Sequence, residues 1–575
     1  MESKTTEKTA FSSGIYSSIS DILPGKIRGE KISSARSLNC DTYSFKVAYK
    51  FDGTTDRTVV PVYFTVEGDF PRDEIKIYKI GNVSIINPVP NCMNKEDFVS
   101  DIPSLYPDPL YEMSSNTVVE KNKNSSRYFE EGQKTTLNAV SAFGALWVEL
   151  NPKAKKLPVG KYSIQCVFYS LTDYSELSRQ ALSFEIIEAE KEEQPIRCTN
   201  WFYCDSLADV YGVDVFSDRH FDIIESFVKT AASHGSNMIL TPAFTPPLDT
   251  MVGKQRKTVQ LVGVKQEKGV YSFDFSLFEK FVKICLENGI RYFEHSHFFT
   301  QWGAEHCPNI MATVDGEYKR IFGWETEASS EEYINFLTAY IKALVPAIEK
   351  LGIKDRIYFH ISDEPSECHL DNYRYARKKL KEIMPDIKTI DAMSSYEFCE
   401  QGIVDIPVVR EISEDMEKFV NGCHEFWIYY TGGVINNGNS NRLITLSQAR
   451  NRLLGVHMYV AGATGFLHWG YNYYYDVLTH GVFNPLSDPC FYFGSPGTSY
   501  LVYPSLDGKA IPSQRLKVLR EAIGDYTAFK MLEKKLGREE VLSLINKTLG
   551  KEVTVSTPLD ESELILMKNT VLSLL

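Results

Sequence analysis

From residue 197 onwards, short apolar segments alternate with longer segments whose apolar residues have helical spacing. In one of the longer segments, 275–286, the apolar residues share one face, and Gly289 provides a natural stop. Repeated strand–helix units favour a parallel sheet covered by helices, and eight units fit a (β/α)8 barrel with enlarged loops. The segments that we predict as the eight strands are 199–204, 237–241, 291–295, 356–361, 388–392, 405–410, 425–430 and 465–468.

An open, doubly wound sheet would show the same alternation and is the alternative to the barrel. Nucleotide-binding sheets of that kind carry a glycine-rich phosphate loop after the first strand. No such loop follows the first predicted strand here. We therefore predict a TIM-like (β/α)8 barrel over residues 198–535, with its last helix at 513–535.

The N-terminal part, residues 1–190, has a different pattern. Segments 44–51, 59–66, 146–150 and 161–168 alternate apolar and polar residues and are separated by turn-forming residues. This period-two alternation is typical of an antiparallel β-sandwich. The predicted fold class is thus a multidomain chain, with an N-terminal antiparallel β-sandwich followed by the barrel.

Three further segments complete the predicted organisation. Residues 113–136 are rich in Ser, Asn, Lys and Glu and are predicted as a long surface excursion. Residues 191–197 form a linker that includes charged residues and a proline. Residues 536–575 are predicted as an extension packed on the barrel or the sandwich, with a short helix and strand-like pieces at 553–555 and 564–567.

Charge and cysteine usage exclude several functional classes. The net charge of −13 argues against a nucleic-acid partner, because phosphate binding needs clustered Lys and Arg. No apolar run reaches the roughly 18 residues of a membrane span. The first eight residues lack the apolar core of a secretory signal, and the eleven cysteines show no Cys-x-x-Cys spacing. We expect a cytoplasmic protein with reduced thiols and no cofactor, although a chain trimmed of an export signal would look the same; its oligomeric state stays open.

Two adjacent acids, Asp363 and Glu364, follow the fourth predicted strand and precede Pro365. In a barrel, the carboxyl ends of the strands carry the catalytic groups. Alternation along the strand directs Glu364 to the interior, and Asp363 joins it only where the strand has already turned. Capping of the next helix by either acid is the structural alternative. Paired carboxyls at a strand end indicate acid catalysis on a neutral, oxygen-rich substrate, and sugars are the leading class.

Aromatic residues, 13% of the chain, are concentrated in segments 427–433 and 464–476, which end the seventh and eighth predicted strands. Side chains that fill a barrel are mostly branched aliphatics. Aromatic residues at strand ends therefore favour a cleft that stacks on the apolar faces of sugars, with packing beneath loops as the alternative. The candidate substrate contacts in these segments are Trp427, Tyr429, Tyr430, Trp469 and Asn472.

Two histidines, His295 and His297, end the third predicted strand. A metal site would need a third ligand, and the sequence does not locate one. We therefore predict no metal and expect hydrogen bonding to sugar hydroxyls or loop packing. The loop 298–326, which contains Trp302 and Trp324, either reaches over the cleft to select the sugar or its leaving group, or packs on the barrel.

Taken together, these segments resemble glycoside hydrolase family 123, the β-N-acetylgalactosaminidases. The resemblance extends over about residues 100–535, and a related family of uncharacterised domains shares much of it. One departure is Ala522, where the family usually has glycine. The matching elements are the strand-end acids with Pro365, the segment 465–472 with Trp469 and Asn472, Tyr503-Pro504-Ser505, the segment 513–526 and the segment 106–110.

The resemblance implies a retaining, substrate-assisted mechanism, in which the 2-acetamido oxygen of the sugar attacks the anomeric carbon. Asp363 would accept the acetamide N–H, and Glu364, with its proton affinity raised by its neighbour, would protonate the leaving oxygen. Tyr429 or Tyr430 would hold the acetamide oxygen, and Trp469 would form an apolar wall. Two other hypotheses stay open: a conventional two-carboxylate glycosidase for sugars without an acetamido group, and a glycan-binding protein without catalysis.

Overall fold

The computed structural model describes residues 10–575 except 53–59, 91–92, 114–115, 122–142, 172, 190–191, 394, 434, 436–437, 491 and 493. The N-terminal residues 1–8 and most of the predicted excursion at 113–136 lie outside this described part. The N-terminal part of the fold is a sandwich of two five-stranded sheets, as predicted. One sheet orders its antiparallel strands as Ala10–Ser17, Tyr43–Asp52, Phe143–Leu150, Ile75–Ile85 and Ser104–Met113.

The second sheet orders its strands as Ser34–Leu38, Glu176–Ile187, Gly160–Ser170, Val60–Gly68 and Asn116–Lys121, and a short hairpin pairs Asp21–Leu23 with Lys26–Arg28. All pairs in this sheet are antiparallel except the first, which is parallel. Alternate residues of both sheets face inward, and the rings of Phe64 and Phe168 meet with centroids 4.8 Å apart. Period-two alternation therefore corresponds to the sandwich core.

The C-terminal part contains a barrel of eight parallel strands, each overlapping one predicted segment. Neighbours in the chain are neighbours in the sheet, and the first strand pairs with the eighth. Between the fourth and fifth strands the contact is a single bridge, in which Phe359 N donates to Lys388 O at 2.9 Å. The strands are Arg197–Asn200, Met238–Thr241, Tyr292–His295, Ile357–Phe359, Ile390–Met393, Ile406–Arg410, Trp427–Tyr429 and Gly465–His468.

Helices cover the outside of the barrel and bury their apolar faces against it. The helix predicted at 513–535 is observed at Gln514–Leu536, and Ser513 caps it by accepting from Leu516 N at 3.1 Å. The other barrel helices are Cys204–Tyr211, Asp218–Ser233, Ser276–Glu287, Glu331–Lys350, Leu370–Ile383, Glu397–Glu400, Met416–Gly422, Gln448–Arg452 and Leu454–Ala461. Among the described residues, no helix is both long and apolar enough to cross a membrane.

Small sheets in the loops were not predicted. The loops after the second and third barrel strands form a four-stranded sheet, and a hairpin precedes the last barrel helix. Their strands are Gly263–Glu267, Val270–Asp274, Ile310–Val314 and Glu317–Phe322, and then Val502–Pro504 and Ala510–Pro512. Helical turns of three residues occur at Arg72–Glu74, Lys95–Asp97, Lys354–Arg356, Glu367–His369 and Val477–Thr479.

The C-terminal extension is helical, with helices at Arg538–Leu549 and Glu561–Leu574. The predicted strand-like pieces are wrong: 553–555 lies in a turn region, and 564–567 lies within the second helix. Asp560 and Glu563 form a reciprocal capping box that begins this helix. The helix lies between the two domains, since Leu572 packs on Leu38 of the sandwich and Lys568 binds Asp525 of the barrel at 2.7 Å.

The sandwich and the barrel are joined by buried ion pairs. Asp108 of the sandwich accepts from Arg515 at 2.9 Å and from the Tyr503 hydroxyl at 2.6 Å, and all three side chains are buried. Glu149 of the sandwich likewise binds Lys517 at 2.9 Å. Several of the residues that carry the family resemblance therefore hold the two domains together. The described cysteines other than Cys40 are free thiols.

Candidate active site

A cavity of about 480 Å³ opens at the carboxyl ends of the barrel strands. This volume lies within the range of small-molecule sites, roughly 300–1,000 Å³. Most of the wall comes from barrel strand ends and their loops, and two residues come from the sandwich. The described lining residues are Pro90, Met93, Trp201, Tyr203, Leu248, Asp249, Gln301, Trp302, Asp363, Glu364, Ala392, Tyr429, Thr431, Gly432, Gly433, Leu467, Trp469, Tyr492, Ser495 and Thr498.

The two acids reach this cavity from a turn that follows the fourth strand. The strand ends at Phe359, so Asp363 and Glu364 are no longer bound by strand alternation and both line the cavity. Glu364 adopts the left-handed region with φ 44°, which costs roughly 1–3 kcal/mol for a residue with a side chain. Trp302 N donates to the carbonyl of Asp363 at 2.9 Å and supports the turn.

The capping alternative does not fit the structure. The next helical turn, Glu367–His369, has Ser366 as its N-cap, and Ser366 and His369 form a reciprocal capping box. Neither Asp363 nor Glu364 caps it. The acids are therefore available to the cavity, where Asp363 is half-buried and Glu364 is exposed.

A buried polar cluster supports the segment that leads to the acids. His360 donates to Glu294 at 2.9 Å and to Asp391 at 3.1 Å. Burial alone would lower the pKa of His360, but its hydrogen bonds to Asp391 and Glu294 outweigh burial and raise the pKa to about 9. Asp391 also accepts from the backbone N–H of Ile361 at 3.0 Å and from the Tyr373 hydroxyl at 2.6 Å, which fixes the chain just before the acids.

Asp363 differs from these supporting carboxylates. Within the described residues, no group donates a hydrogen bond to its side chain. Its carboxylate reaches the cavity but is otherwise surrounded by protein, and this burial, followed by the nearby charge of Glu364, raises its pKa well above the usual value. The family resemblance implies a raised proton affinity at Glu364, which stays a prediction; Asp363, the more buried of the two acids, has a pKa that burial raises.

Of the two candidate tyrosines, only Tyr429 lines the cavity. Its hydroxyl donates to Glu364 Oε1 at 2.7 Å, and burial raises its pKa far above the ordinary value. Tyr430 faces the opposite side of the strand, where its ring packs on Phe466 at 5.2 Å and on His468 at 5.3 Å. Strand alternation thus separates the two neighbouring tyrosines.

Trp469 forms an aromatic wall in the cavity. Its ring centroid lies 4.8 Å from that of Tyr492 and 5.5 Å from that of Tyr473. Both tyrosines donate to Asp249, Tyr473 at 2.7 Å and Tyr492 at 3.1 Å. The structure therefore brings together four of the predicted site residues: Asp363, Glu364, Tyr429 and Trp469.

The other predicted contact residues lie outside the cavity lining. His295 points to the helix layer and bonds the Tyr340 hydroxyl at 2.7 Å. Trp427 fills the barrel interior, with its ring 5.7 Å from that of Tyr358. The remaining three predicted residues, Tyr430, His297 and Asn472, are also fully buried.

Asn472 has a supporting role instead of a direct one. Its amide accepts from Tyr203 N at 2.9 Å and donates to Tyr203 O at 3.1 Å. Tyr203 lines the cavity, so Asn472 fixes a wall residue. The structure thus places Tyr430, Trp427, His295, His297 and Asn472 outside the cavity lining, and direct contact of these residues with a sugar stays a prediction.

His360 and Asp391 lie close to His297, so these three residues are a candidate metal site. Ligand atoms of His297, His360 and Asp391 lie within 4.8 Å of one another, and within the described part of the chain neither ring nitrogen of His297 has a hydrogen-bond partner. However, the two rings are stacked at 4.3 Å and 14°, so their in-plane lone pairs run side by side instead of converging. Both His360 nitrogens are already bound to carboxylates. The cluster fits an ion poorly.

Several wall residues were missed from the sequence. Trp201 and Tyr203 follow the first barrel strand, and the rule applied to the seventh and eighth strands would have found them. Asp249 lies in a long loop whose sequence carries no signal, whereas Gln301 lies beside Trp302 in the loop 298–326, and both of these residues line the cavity. Pro90 and Met93 come from the sandwich, so only the packing of the two domains brings them to the cavity.

Comparisons with known proteins identify the barrel. A family model described as the catalytic domain of glycoside hydrolase 123 matches residues 201–532, which is more than half of the chain. Among solved structures, a family 123 glycoside hydrolase from Clostridium perfringens, studied for glycolipid glycan hydrolysis, has a TM-score of 0.71 and 16% identity over 98% of each chain. At this identity the likeness shows the fold.

More distant likenesses add no argument. A β-D-glucuronidase from Dictyoglomus thermophilum has a TM-score of 0.33 and 11% identity, over 90% of this chain and 69% of the other. A family 5 mannosidase from Rhizomucor miehei has a TM-score of 0.32 and 11% identity, over 60% of this chain and 94% of the other. No curated protein matches this chain.

Proposed function

Because this chain belongs to glycoside hydrolase family 123, we propose that it is a retaining exo-β-N-acetylgalactosaminidase that removes terminal β-linked N-acetylgalactosamine from glycans or glycolipids. The observation that carries the proposal is the adjacency of Asp363 and Glu364 in one turn on the cavity wall. In a conventional glycosidase, the two carboxyl groups flank the scissile bond from opposite sides. Two acids from one turn suit a substrate that supplies its own nucleophile.

In this mechanism the acetamido oxygen attacks the anomeric carbon and the bond to the leaving oxygen breaks. Glu364 gives its proton to that leaving oxygen and afterwards takes one from the water that opens the oxazolinium intermediate. Asp363 accepts the acetamide N–H and stabilises the positive charge that develops on the ring. Tyr429 lies beside Glu364 and donates to the acetamide oxygen once the sugar displaces its present bond.

Substrate binding also assigns the proton within the acid pair. In the free protein, burial favours a proton on Asp363. The acetamide N–H supplies the donor that the Asp363 side chain lacks, and a hydrogen bond to the charged form lowers the pKa of a carboxyl. The single proton of the pair then moves to Glu364, where the leaving oxygen needs it.

The pH dependence follows from this shared proton. The active pair of acids carries one proton. Two interacting acids lose their protons in two steps, and the pKa of each step belongs to the pair and not to one residue. Since burial raises the pKa of Asp363, we expect kcat/KM to fall as the pH rises through the raised pKa, because both acids are then ionised. Activity that stays constant to strongly alkaline pH would contradict a proton shared in this way.

Hydrolysis of an aryl β-N-acetylgalactosaminide tests the activity, and the epimeric N-acetylglucosaminide tests the preference at C4. An N-acetylgalactosamine thiazoline mimics the intermediate and should inhibit strongly. Rapid turnover of the aryl substrate by Asp363→Asn would exclude the assigned role of Asp363. Absence of turnover together with retained glycan binding would favour a glycan-binding protein instead.

A second mechanism is favoured by one observation, the presence of Asp249 in the same cavity. A conventional retaining glycosidase would use this third carboxylate as its nucleophile. However, Asp249 accepts hydrogen bonds from Tyr473, Tyr492 and Leu478 N, so its oxygens are engaged. In that mechanism the thiazoline would not inhibit, and substrates without an acetamido group would be hydrolysed.

A further inference from the structure

Trp302 is exposed at the rim of the cavity, where a large aromatic side chain is unusual. Its relative exposure is 46%, although it lines the same cavity as the acids. Apart from Trp302, the exposed members of the described lining are Glu364 and Gly433. The other aromatic wall residues, such as Trp201 and Trp469, are buried or half-buried.

The backbone holds Trp302 in this position at a cost. Trp302, Gly303 and Ala304 all have positive φ, at 59°, 127° and 56°. A residue with a side chain in this region costs roughly 1–3 kcal/mol. A Cβ on Gly303 would lie 2.7 Å from the ring of His369, so the turn is also closely packed. In this turn, the backbone N–H of Trp302 bonds directly to the carbonyl oxygen of Asp363.

The position of Glu364 indicates which part of the substrate Trp302 would meet. The sugar that reacts is enclosed by the more deeply set residues, because an exo-acting enzyme closes around the chain end. The proton donor acts on the oxygen between that sugar and the leaving group. Glu364 and Trp302 are both exposed at the rim, so the leaving group emerges past Trp302.

We propose that Trp302 forms the leaving-group subsite and stacks on the apolar face of a neutral sugar attached to the terminal residue. This inference rests on the proposed function and extends it to the substrate's second unit. The described lining contains no Lys or Arg but three carboxylates, Asp249, Asp363 and Glu364. An anionic second unit, such as a uronic acid, would meet like charge without a cationic partner.

The test compares a ligand that fills only the reacting-sugar site with one that reaches the rim. The first is the thiazoline, and the second is the disaccharide β-N-acetylgalactosaminyl-(1→3)-galactose. We expect Trp302→Ala to lower kcat/KM for the disaccharide about tenfold, as loss of one aromatic stacking contact does. The thiazoline inhibition constant should change less than twofold, and Trp302→Phe should restore most of the disaccharide activity.

A matched control is available in the same loop. Trp324 is half-buried against His306 and does not line the cavity, so Trp324→Ala should leave both measurements unchanged. If Trp302→Ala weakened thiazoline inhibition by the same factor as it lowered kcat/KM for the disaccharide, the subsite would be overturned, because Trp302 would then only support the turn that holds the acids. An unchanged kcat/KM for the disaccharide in Trp302→Ala would overturn the subsite as well.

Failure of the proposed function is distinguishable from failure of the subsite. If the wild-type protein neither hydrolyses the disaccharide nor binds the thiazoline, the proposed function fails. Calorimetric binding of the disaccharide to wild type and Trp302→Ala then still decides the subsite: weaker binding by the variant supports it, and equal binding or no binding rejects it. A disaccharide with glucuronic acid as its second unit should be a poorer ligand in every case.

Discussion

Two groups of acids lie at the carboxyl end of the barrel, a buried pair below the cavity and a more open pair on the cavity wall, and their hydrogen bonding differs. Below the cavity, Glu294 and Asp391 are saturated by donors from His360, Trp201 and Tyr373. On the cavity wall, Asp363 is enclosed by protein but, within the described residues, receives no donor. The first group has its hydrogen-bonding capacity filled, whereas the charged form of Asp363 is unfavourable in the free protein. In the proposed mechanism the substrate would supply the missing donor, and a carboxylate without a donor in an otherwise satisfied polar region is a candidate reactive position.

The largest expected effect is on catalysis. Glu364→Gln removes the proton donor, and we expect kcat to fall about 10²–10⁴-fold. The loss should be much smaller for an aryl leaving group of low pKa, which departs without a proton. Steady-state kinetics with two aryl substrates of different acidity measure this. An equal loss of kcat for both substrates would show that Glu364 does not donate the proton to the leaving group.

Breaking the buried polar cluster of Glu294, His360 and Asp391 should instead destabilise the end of the barrel. Asp391→Ala removes one of the two carboxylate partners of His360 and the acceptor of the Tyr373 hydroxyl. Removal of one partner of a buried pair costs about 3–5 kcal/mol. Urea unfolding measures the free energy of unfolding directly. A stability close to wild type would show that the comparison between the two groups of acids is mistaken.

Replacement of Tyr429, but not of its neighbour Tyr430, should have an intermediate effect on catalysis. A hydrogen bond to a charged group contributes about 1.5–3 kcal/mol, so Tyr429→Phe should lower kcat/KM roughly 10–100-fold. Tyr430→Phe is the matched control, since its ring packs outside the cavity, and it should leave activity within twofold. Equal effects of the two replacements would contradict the assignment of Tyr429 to the substrate.

The smallest expected effect is a gain in stability. The pKa of Asp363 is raised in the folded state, so its contribution to stability is fully present below about pH 4 and is lost as the pH rises through the raised pKa. Asp363→Asn should therefore abolish activity but increase the free energy of unfolding at pH 8 by about 0.5–2 kcal/mol. The gain should vanish near pH 3. A loss of stability at pH 8 would indicate donors to Asp363 that the geometry does not reveal.

The barrel strands were predictable because buried parallel strands are short continuous apolar runs, and all eight predicted segments overlap a strand. The sheet formed by the loops at 263–322 was not predicted, because its strands are short and three of the four are largely exposed, so few apolar residues mark them in the sequence. The C-terminal segment 564–567 was mistaken for a strand because four consecutive apolar residues do not distinguish a strand from a helix. The capping residues Asp560 and Glu563 were the missed signal.

The site was predictable only in part. Asp363, Glu364, Tyr429 and Trp469 lie at strand ends, where topology alone brings them to one rim. Whether a neighbouring side chain faces the cavity depends on the residue at which the strand stops, and the fourth strand ends two residues earlier than predicted, at Phe359. The seventh strand likewise ends one residue earlier than predicted, at Tyr429, and Tyr430 lies outside the cavity lining. Asp249 lies in a loop, where strand-end reasoning does not apply.

The ion pair between Asp108 and Arg515 has a consequence for how such chains are classified. The long C-terminal sequence signature reports that a sandwich is clamped to a barrel, and it says nothing of the turn that holds the acids. A homologue that has exchanged Asp363 or Glu364 would keep the clamp and be assigned to the same group, although it would lack an acid of the proposed mechanism. Under that proposal, this single turn is the place where an inactive homologue would differ.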